Sequence, residues 1–180
     1  MAMSFARCCV SVLAATFGLL AQEESARLAP YFPTPELVVE KMLELGELKP
    51  GEKMFDLGSG DGRIVVMAAQ KFKAHAVGVE IDADLYEQSR EKIRKLGLES
   101  RAKVIHGDML KQDYSEADLV TVYLLPSSNE KVRPILEKQL KRGARVVCHD
   151  FTMPGWTPDR ILNIEDDGEG RSHTLYLYRR

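Results

Sequence analysis

Three glycines at alternate positions follow an apolar run and an acidic residue. Residues 55–63 read Phe-Asp-Leu-Gly-Ser-Gly-Asp-Gly-Arg. Glycines at this density let a backbone turn sharply and approach a ligand closely. A helical pattern then starts near Arg63, and a helix start directs free N–H groups and a positive dipole end at such a ligand. A pyrophosphate needs the spacing G-x-G-x-x-G. The observed spacing therefore predicts a ligand other than a dinucleotide, and an ordinary glycine-rich turn is the alternative.

The segments around this loop alternate between strands and helices. We predict strands at 53–57, 76–80, 102–106, 118–124 and 144–149, and helices at 35–45, 63–71, 84–96 and 129–140. Such alternation predicts a doubly wound α/β fold with a parallel sheet and helices on both faces. Alternating runs at 160–165 and 173–178 flank a Gly-rich turn and predict a C-terminal antiparallel hairpin, which brings the mostly parallel sheet to seven strands.

The first helix has a recognisable start. Thr34 is a good N-cap and Pro35 a good first helical residue. The apolar spacing predicts one buried face, made of Leu37, Val38, Met42 and Leu45.

Candidate ligand contacts stand at the predicted strand ends. In a doubly wound sheet, ligands bind beyond the carboxyl ends of the strands, at the point where strand order reverses. The first four ends carry Asp56, Glu80, Asp108 and Tyr123. The Glu80 carboxylate can accept hydrogen bonds from both hydroxyls of a ribose. Asp108 can accept from an adenine amino group while Met109 packs on the ring, and a helix cap is the alternative role for Asp108.

The motif Asp-x-Gly-x-Gly-x-Gly resembles the first motif of the seven-strand, Rossmann-like methyltransferases that use S-adenosylmethionine (SAM). The resemblance covers residues 30 to 180. The resemblance narrows to a bacterial group of these enzymes. Three segments carry it: Pro-Tyr-Phe-Pro-Thr-Pro at 30–35, the glycine loop and Tyr-Leu-Leu-Pro at 123–126. That group is itself similar to the mitochondrial protein-lysine methyltransferases of the ATP synthase c-subunit and the adenine nucleotide translocase.

This resemblance implies a set of cofactor contacts. In the family, the glycine loop bends around the amino acid end of SAM and an acidic residue helps place its ammonium group. Tyr31 and Thr34 would close over that end, although Tyr31 and Phe32 could instead form a hydrophobic staple against the first helix. The residues expected to bind SAM are Tyr31, Thr34, Asp56, Gly58, Ser59, Gly60, Gly62, Glu80, Ile81, Asp108, Met109 and Tyr123.

The resemblance also implies the chemistry. The sulfonium of SAM is already activated, so the enzyme must hold a neutral nucleophile in line and exclude water. Residues 123–126 would line the channel to a lysine amine, whose pKa a low-polarity channel with Tyr123 would lower. His149 ends the fifth strand and is the second catalytic candidate, either acting on the substrate or forming a structural pair with Asp150. His106, His149 and His173 are far apart in the sequence, which predicts that they form no cluster of metal ligands and that the chain has no metal site.

The expected methyl acceptor is a protein lysine. The net charge of −2 gives no basic footprint for nucleic acid. Base-methylating relatives carry Asn or Asp, Pro-Pro and an aromatic residue after the fourth strand, whereas Tyr-Leu-Leu-Pro stands here, so no nucleic-acid partner is expected. Methylation of a small molecule and SAM binding without catalysis are the alternatives.

The N-terminal segment differs from the rest of the chain. Residues 1–21 contain one Arg, no Asp or Glu and a mostly apolar run from Cys8 to Ala21. This resembles a secretory signal peptide, and the run is short for a membrane span, which needs about 20 residues. An uncleaved anchor is the alternative, and it would leave the catalytic domain in the cytoplasm with SAM. We therefore divide the chain into a signal-like or anchor segment (1–21), a connector and lid (22–35) and a methyltransferase domain (36–180).

Cysteine use outside this segment is sparse. Cys148 is the one cysteine after residue 21, so the domain cannot form an internal disulfide. Its apolar surroundings predict a buried strand position.

Overall fold

Five parallel strands and a C-terminal antiparallel pair form one sheet in the computed structural model, which describes residues 31–180. The spatial order is β3-β2-β1-β4-β5-β7-β6, and β7 runs antiparallel to both of its neighbours. This confirms the predicted fold class. The strands are β1 (Lys53–Leu57), β2 (His75–Glu80), β3 (Ala102–His106), β4 (Leu119–Val122), β5 (Arg145–His149), β6 (Arg160–Ile164) and β7 (His173–Arg179).

Within residues 31–180, one α-helix precedes the first strand and three more connect later strands. They are α1 (Glu36–Leu45), α2 (Arg63–Gln70), α3 (Ala83–Lys95) and α4 (Pro126–Gln139), with a 3₁₀ turn at Met109–Lys111. Helix α4 begins three residues before its predicted start, because Pro126 occupies the first turn, where a fixed φ and a missing N–H are tolerated. The strand β4 correspondingly ends at Val122, before the Tyr-Leu-Leu-Pro segment.

The start of α1 differs from the prediction. Pro35 precedes the helix, and its carbonyl accepts the first helical hydrogen bond from Val39 N at 2.9 Å. The Thr34 side chain does not cap the helix, so the N-cap prediction is wrong. Its hydroxyl instead lies 3.4 Å from His149 Nδ1, because residues 31–34 fold back over the sheet edge.

The buried face of α1 also differs in part. Val38, Met42 and Leu45 are buried as predicted, together with Val39 and Leu43, whereas Leu37 is 41% exposed. Each residue advances a helix by about 100°. Leu37 therefore falls just outside the stripe that packs on the sheet.

The sheet has an apolar layer on each face. Successive strand residues point to opposite sides, so Met54 enters the layer under α1 and α2, while Phe55 and Leu57 enter the layer under α4. Cys148 is fully buried in the second layer, as predicted, and burial raises the pKa of its thiol.

Parallel register brings the carboxyl ends of the strands to one edge. Asp56 of β1 is aligned with Gly78 of β2 and with Thr121 of β4. Strand order reverses between β1 and β4, so the connections leaving these two strands diverge. The predicted ligand site lies at this reversal.

The predictions for residues 1–21 and for the start of the connector lie outside the described residues. From residue 31 to the C-terminus, no helix is long and apolar enough to cross a membrane.

Strand β7 supplies core side chains although it lies near the sheet edge. Leu177 is fully buried, whereas Ile161 on neighbouring β6 is 57% exposed. We expect Leu177→Ala to lower the free energy of unfolding by about 2–5 kcal/mol, since it leaves a cavity. The matched change Ile161→Ala should cost roughly 0.5 kcal/mol or less. Urea unfolding followed by circular dichroism measures both, and equal losses would contradict the packing of the hairpin.

Candidate active site

A cleft opens at the carboxyl ends of β1, β2 and β4. Residues 31–34 cover it on one side, and the 3₁₀ turn after β3 closes another. Ten of the twelve predicted cofactor residues line it: Tyr31, Thr34, Asp56, Gly58, Ser59, Gly60, Glu80, Ile81, Met109 and Tyr123. Gly62 and Asp108 are not among the lining residues. The sequence prediction therefore selected residues that the fold brings together.

The glycine loop curls over the end of β2. The N–H groups of Gly58 and Ser59 both donate to the Val79 carbonyl at 3.0 Å. Gly60 N donates to Glu80 Oε2 at 2.7 Å. These bonds draw the loop back onto the sheet and leave its outer surface facing the cleft.

Position 60 requires glycine for two reasons: the Tyr31 ring approaches it closely, and its φ is positive. Its φ is +53°, and a Cβ atom there would lie 2.6 Å from a ring carbon of Tyr31. Gly62 has a different role, because a Cβ at that position would lie 2.8 Å from Ser89 Cβ on α3. Gly60 thus admits a neighbour into the cleft, whereas Gly62 lets α2 and α3 pack.

The Ser59 side chain lies beneath the loop. It is buried, and its hydroxyl has no hydrogen-bond partner within residues 31–180. A Cβ on Gly78 of β2 would lie 2.5 Å from this hydroxyl. Gly78 therefore lets the loop descend onto the sheet, a requirement that the sequence reasoning did not identify.

Glu80 organises the loop from below. One carboxylate oxygen accepts from Gly60 N, and the other accepts from Ile81 N at 2.9 Å and Asp82 N at 2.8 Å. A carboxylate offers about four lone-pair sites. Glu80 can therefore hold the loop and still accept from a ligand hydroxyl.

Asp56 is a buried carboxyl at the floor of the cleft. Its Oδ1 accepts from Thr121 Oγ1 at 2.8 Å. The pKa of Asp56 is raised to about 7, chiefly by burial and to a smaller extent by the Glu80 and Asp61 carboxylates, while the hydrogen bond from Thr121 lowers it. A cation placed beside Asp56 would favour its ionised form. This floor is therefore suited to an ammonium group.

Residues 31–34 form a lid that is tied to the loop. Arg63 Nη1 donates to the Thr34 carbonyl at 2.8 Å, while Arg63 Nε donates to Asp61 Oδ1 at 2.9 Å. Lys92 of α3 also binds Asp61 at 2.8 Å. Burial alone would raise the pKa of Asp61, but the hydrogen bonds from Arg63 and Lys92 bring it below its usual range. The sequence reasoning missed Arg63 and Asp61, although both belong to the glycine motif.

The aromatic pair of the lid does not pack as a staple. Tyr31 lies against Gly60 and is 47% exposed, and Phe32 faces the Arg171 guanidinium at 5.7 Å. Tyr31 therefore covers the glycine loop. This favours the lid over the hydrophobic staple.

Asp108 and Met109 have different roles. Asp108 Oδ1 accepts from Leu110 N at 2.8 Å and caps the 3₁₀ turn. Met109 is buried against the cleft beside Gly58. The structure thus shows the capping role for Asp108, and its bond to adenine stays a prediction.

Tyr123 and His149 lie one behind the other. Tyr123 lines the cleft, and its ring is 3.9 Å from the His149 ring, centroid to centroid, at 33°. His149 is fully buried behind it, and burial lowers the pKa of His149 below its usual range, which favours the neutral ring. The pKa of Tyr123 is raised, first by burial and then by the Asp150 carboxylate.

The expectation that the histidines lie too far apart to form a cluster is wrong. His149 and His173 are 24 positions apart, but the pairing of β5 with β7 brings His149 Nε2 to 2.9 Å from His173 Nδ1. Asp150 completes a cluster whose ligand atoms lie within 4.8 Å of one another. The sequence alone does not reveal this cluster, because its residues are brought together by the pairing of β5 with β7.

The site fits SAM in its shape and donor set. The glycine loop lets a ligand come close to its backbone, and the cleft has a buried acidic floor at Asp56 and a second carboxylate at Glu80. These groups would hold the ammonium and a ribose hydroxyl, with Met109 beside the adenine.

Comparison with known proteins agrees with this geometry. The sequence model of the ANTKMT methyltransferase domain matches residues 56–160. A protein-lysine N-methyltransferase of Saccharolobus islandicus (strain REY15A) is 44% identical over 150 residues, covering 83% of this chain and 92% of the relative. The lysine N-methyltransferase of the ATP synthase c-subunit from Homo sapiens is 33% identical over 149 residues, covering 83% of this chain and 60% of that protein.

A solved structure shares both fold and sequence. The crystal structure of an RNA methyltransferase from Salinibacter ruber in complex with S-adenosyl-L-homocysteine is 45% identical, with a TM-score of 0.77. The match covers 82% of this chain and 93% of that one. From the cleft, the glycine loop and these matches together, the chain belongs to the ANTKMT methyltransferase domain family and is a SAM-dependent methyltransferase.

Proposed function

We propose that this enzyme transfers a methyl group from SAM to the side-chain amine of a protein lysine. The observation that carries the proposal is the cleft wall after β4, which is formed by Tyr123 and Leu124. An apolar and aromatic wall suits the aliphatic stem of lysine. The lysine methyltransferases among the relatives, from Saccharolobus islandicus and Homo sapiens, support the same substrate class.

The mouth of the cleft supports a polypeptide substrate. Tyr31, Phe32 and Leu125 are large apolar residues that are 47%, 55% and 40% exposed. Tyr31 and Phe32 belong to the lid, and Leu125 follows the end of β4. Exposed apolar side chains grouped around a site are typical of a surface that receives a partner. A protein segment could rest there while its lysine enters the cleft.

The chain's own residues would act mainly by binding and desolvation. SAM supplies the activated methyl group. Asp56 would hold the ammonium, Glu80 would accept from a ribose hydroxyl, and the lid would exclude water. A cleft wall of low polarity favours the neutral form of a lysine amine. The tyrosine hydroxyl of Tyr123 can accept a hydrogen bond from this amine and orient it.

His149 has no direct path to the substrate. It is fully buried behind the Tyr123 ring. We therefore propose Tyr123 as the residue that contacts the acceptor and His149 as a positioning residue, with no dedicated general base.

RNA is a second candidate acceptor, because the Salinibacter ruber protein at 45% identity is named an RNA methyltransferase. The net charge of −2 argues against it, since RNA binding depends on basic surfaces. A small molecule is a third candidate. Transfer of a labelled methyl group separates the three.

The acceptor class can be read from the label. We expect methyl-labelled SAM and the purified enzyme to label protein in an extract of the source cell, and acid hydrolysis to yield methyllysine. Label that resists protease and is lost with ribonuclease would replace the proposal with RNA methylation. Label in small molecules alone would also overturn it. A SAM-binding protein that labels nothing would favour a module without catalysis.

The assignment of the glycine loop as a SAM contact can be tested by adding a side chain at Gly60. We expect Gly60→Val to abolish SAM binding, because the side chain would strain a φ of +53° and displace Tyr31. Gly143→Val is the matched control, since Gly143 has a φ of +86° and no other side chain or backbone of residues 31–180 lies within 4 Å of its Cβ position. It carries the same backbone strain far from the cleft and should bind SAM normally. Calorimetry measures both, and unchanged affinity in Gly60→Val would refute the loop assignment.

The ammonium contact predicts a pH dependence. The pKa of Asp56 is about 7, so below pH 7 the carboxyl is mostly protonated. A cationic ligand favours the ionised form, hence affinity should rise with pH. Between pH 5.5 and 7.5 the SAM amine stays largely protonated, and we expect roughly a tenfold gain or more. Asp56→Asn should bind more weakly with a flat profile. Equal slopes in the two proteins would exclude Asp56 as the ammonium partner.

A further inference from the structure

Three ligand atoms meet behind Tyr123, in a cluster formed by His149, Asp150 and His173. His149 Nε2 lies 2.9 Å from His173 Nδ1 and 3.3 Å from Asp150 Oδ2. His173 Nδ1 lies 3.1 Å from the same carboxylate oxygen. The three atoms therefore form a nearly equilateral triangle. We name these residues the β5–β7 triad.

Hydrogen bonds cannot satisfy this triangle. Each of its three edges needs one donor and one acceptor, and when Asp150 is ionised only the two nitrogens can carry a proton. If both are protonated, the edge between them joins two donors. If one is protonated, the opposite edge joins two lone pairs. Beside an ionised Asp150, one contact near 3 Å is thus unfavourable in every protonation state of the two histidines.

The hydrogen bond made by His173 Nε2, the ring nitrogen outside the triangle, determines whether Nδ1 carries a proton or a lone pair. His173 Nε2 lies 3.2 Å from Asp167 Oδ2. Asp167 is a buried acceptor that also binds Glu169 N and Arg171, so His173 Nε2 must donate to it. A neutral His173 then presents an unprotonated Nδ1 to the Asp150 carboxylate. A carboxylate that orients a histidine in this way is typical of metal sites.

His149 is oriented by the lid in the same manner. Its Nδ1 lies 3.4 Å from Thr34 Oγ1, and its ring is clamped by Tyr123. Asp150 is held as well, because its Oδ1 accepts from Thr174 N at 2.9 Å. Its φ of +56° lies in the left-handed region, which is uncommon outside glycine, Asn and Asp. This backbone conformation places Oδ2 at the triangle.

We propose that the β5–β7 triad binds a divalent first-row transition metal ion such as Zn²⁺ or Fe²⁺. Ligand atoms about 2.0–2.2 Å from one ion, at bond angles of 90–109°, lie roughly 2.8–3.6 Å apart. All three edges fall in this range. Two histidines and one carboxylate leave coordination positions open. The Asp150 side chain is 27% exposed, which gives the ion an entry path.

The ion would tie the end of β5 to the start of β7. It would thereby fix His149, against which Tyr123 and Thr34 rest. The site would stabilise the cleft wall and the lid from behind. Metal binding by the triad does not depend on the identity of the methyl acceptor, so either proposal can fail without the other.

Titration of the metal-free full-length protein with Zn²⁺ alone tests the proposal. We expect one ion per chain and a rise in Tm. Co²⁺ should give a visible d–d absorption band that Zn²⁺ displaces. We expect Asp150→Asn to weaken Zn²⁺ binding by at least about tenfold, the smaller end of what even outer-shell changes cause. Asn tolerates a positive φ, and its amide oxygen can still accept from Thr174 N, so this variant should fold.

Two further variants complete the design. His173→Gln should also lose binding, and circular dichroism reports whether it folds. His75→Gln removes an exposed histidine at the start of β2, far from the triad, and should bind as the unchanged protein does. Absence of binding below millimolar Zn²⁺ would overturn the proposal. So would equal affinity in the folded Asp150→Asn protein, or nuclear magnetic resonance showing both nitrogens of His173 protonated with Zn²⁺ present.

Discussion

The hydrogen bond from Gly60 N to the buried carboxylate of Glu80, 2.7 Å long, is the contact on which the site depends. It joins the loop after β1 to the end of β2 and fixes how far the loop curls. A buried carboxylate requires such donors, because an unpaired charge in the interior is costly. Glu80 meets this requirement with three backbone N–H groups. The same contact that shapes the loop places Gly60 against the Tyr31 ring of the lid.

Contacts around this bond reach outward in two directions. Toward α2 and α3, Asp61 binds Arg63 and Lys92, and Arg63 holds the lid through the Thr34 carbonyl. Away from the loop, Thr34 reaches His149, which connects the lid to β5. An unbroken series of polar contacts therefore connects the lid, the glycine loop and the sheet edge. The loss of any one of these polar contacts should therefore change the geometry of the cleft as well as that of its immediate neighbours.

Local patterns were sufficient for most of the fold and for the floor of the site. The glycine motif, Glu80 and the strand–helix alternation are short-range signals, and the structure places their residues together at the β1–β4 reversal. Two predictions failed because a distant strand decided the outcome. Thr34 is a good N-cap in isolation, yet its hydroxyl turns toward His149. His173 became part of a cluster only through the pairing of β7 with β5, which no local spacing encodes.

The spacing of the glycines, together with Asp56 and Glu80, should select SAM over a dinucleotide. Competition binding by calorimetry tests this selectivity most directly, with SAM as the ligand and S-adenosylhomocysteine or NAD as the competitor. We predict that SAM binds with one site per chain, that S-adenosylhomocysteine displaces it, and that NAD at millimolar concentration does not. Binding of NAD in place of SAM, or no SAM binding below millimolar concentration, would contradict the assignment of the cleft.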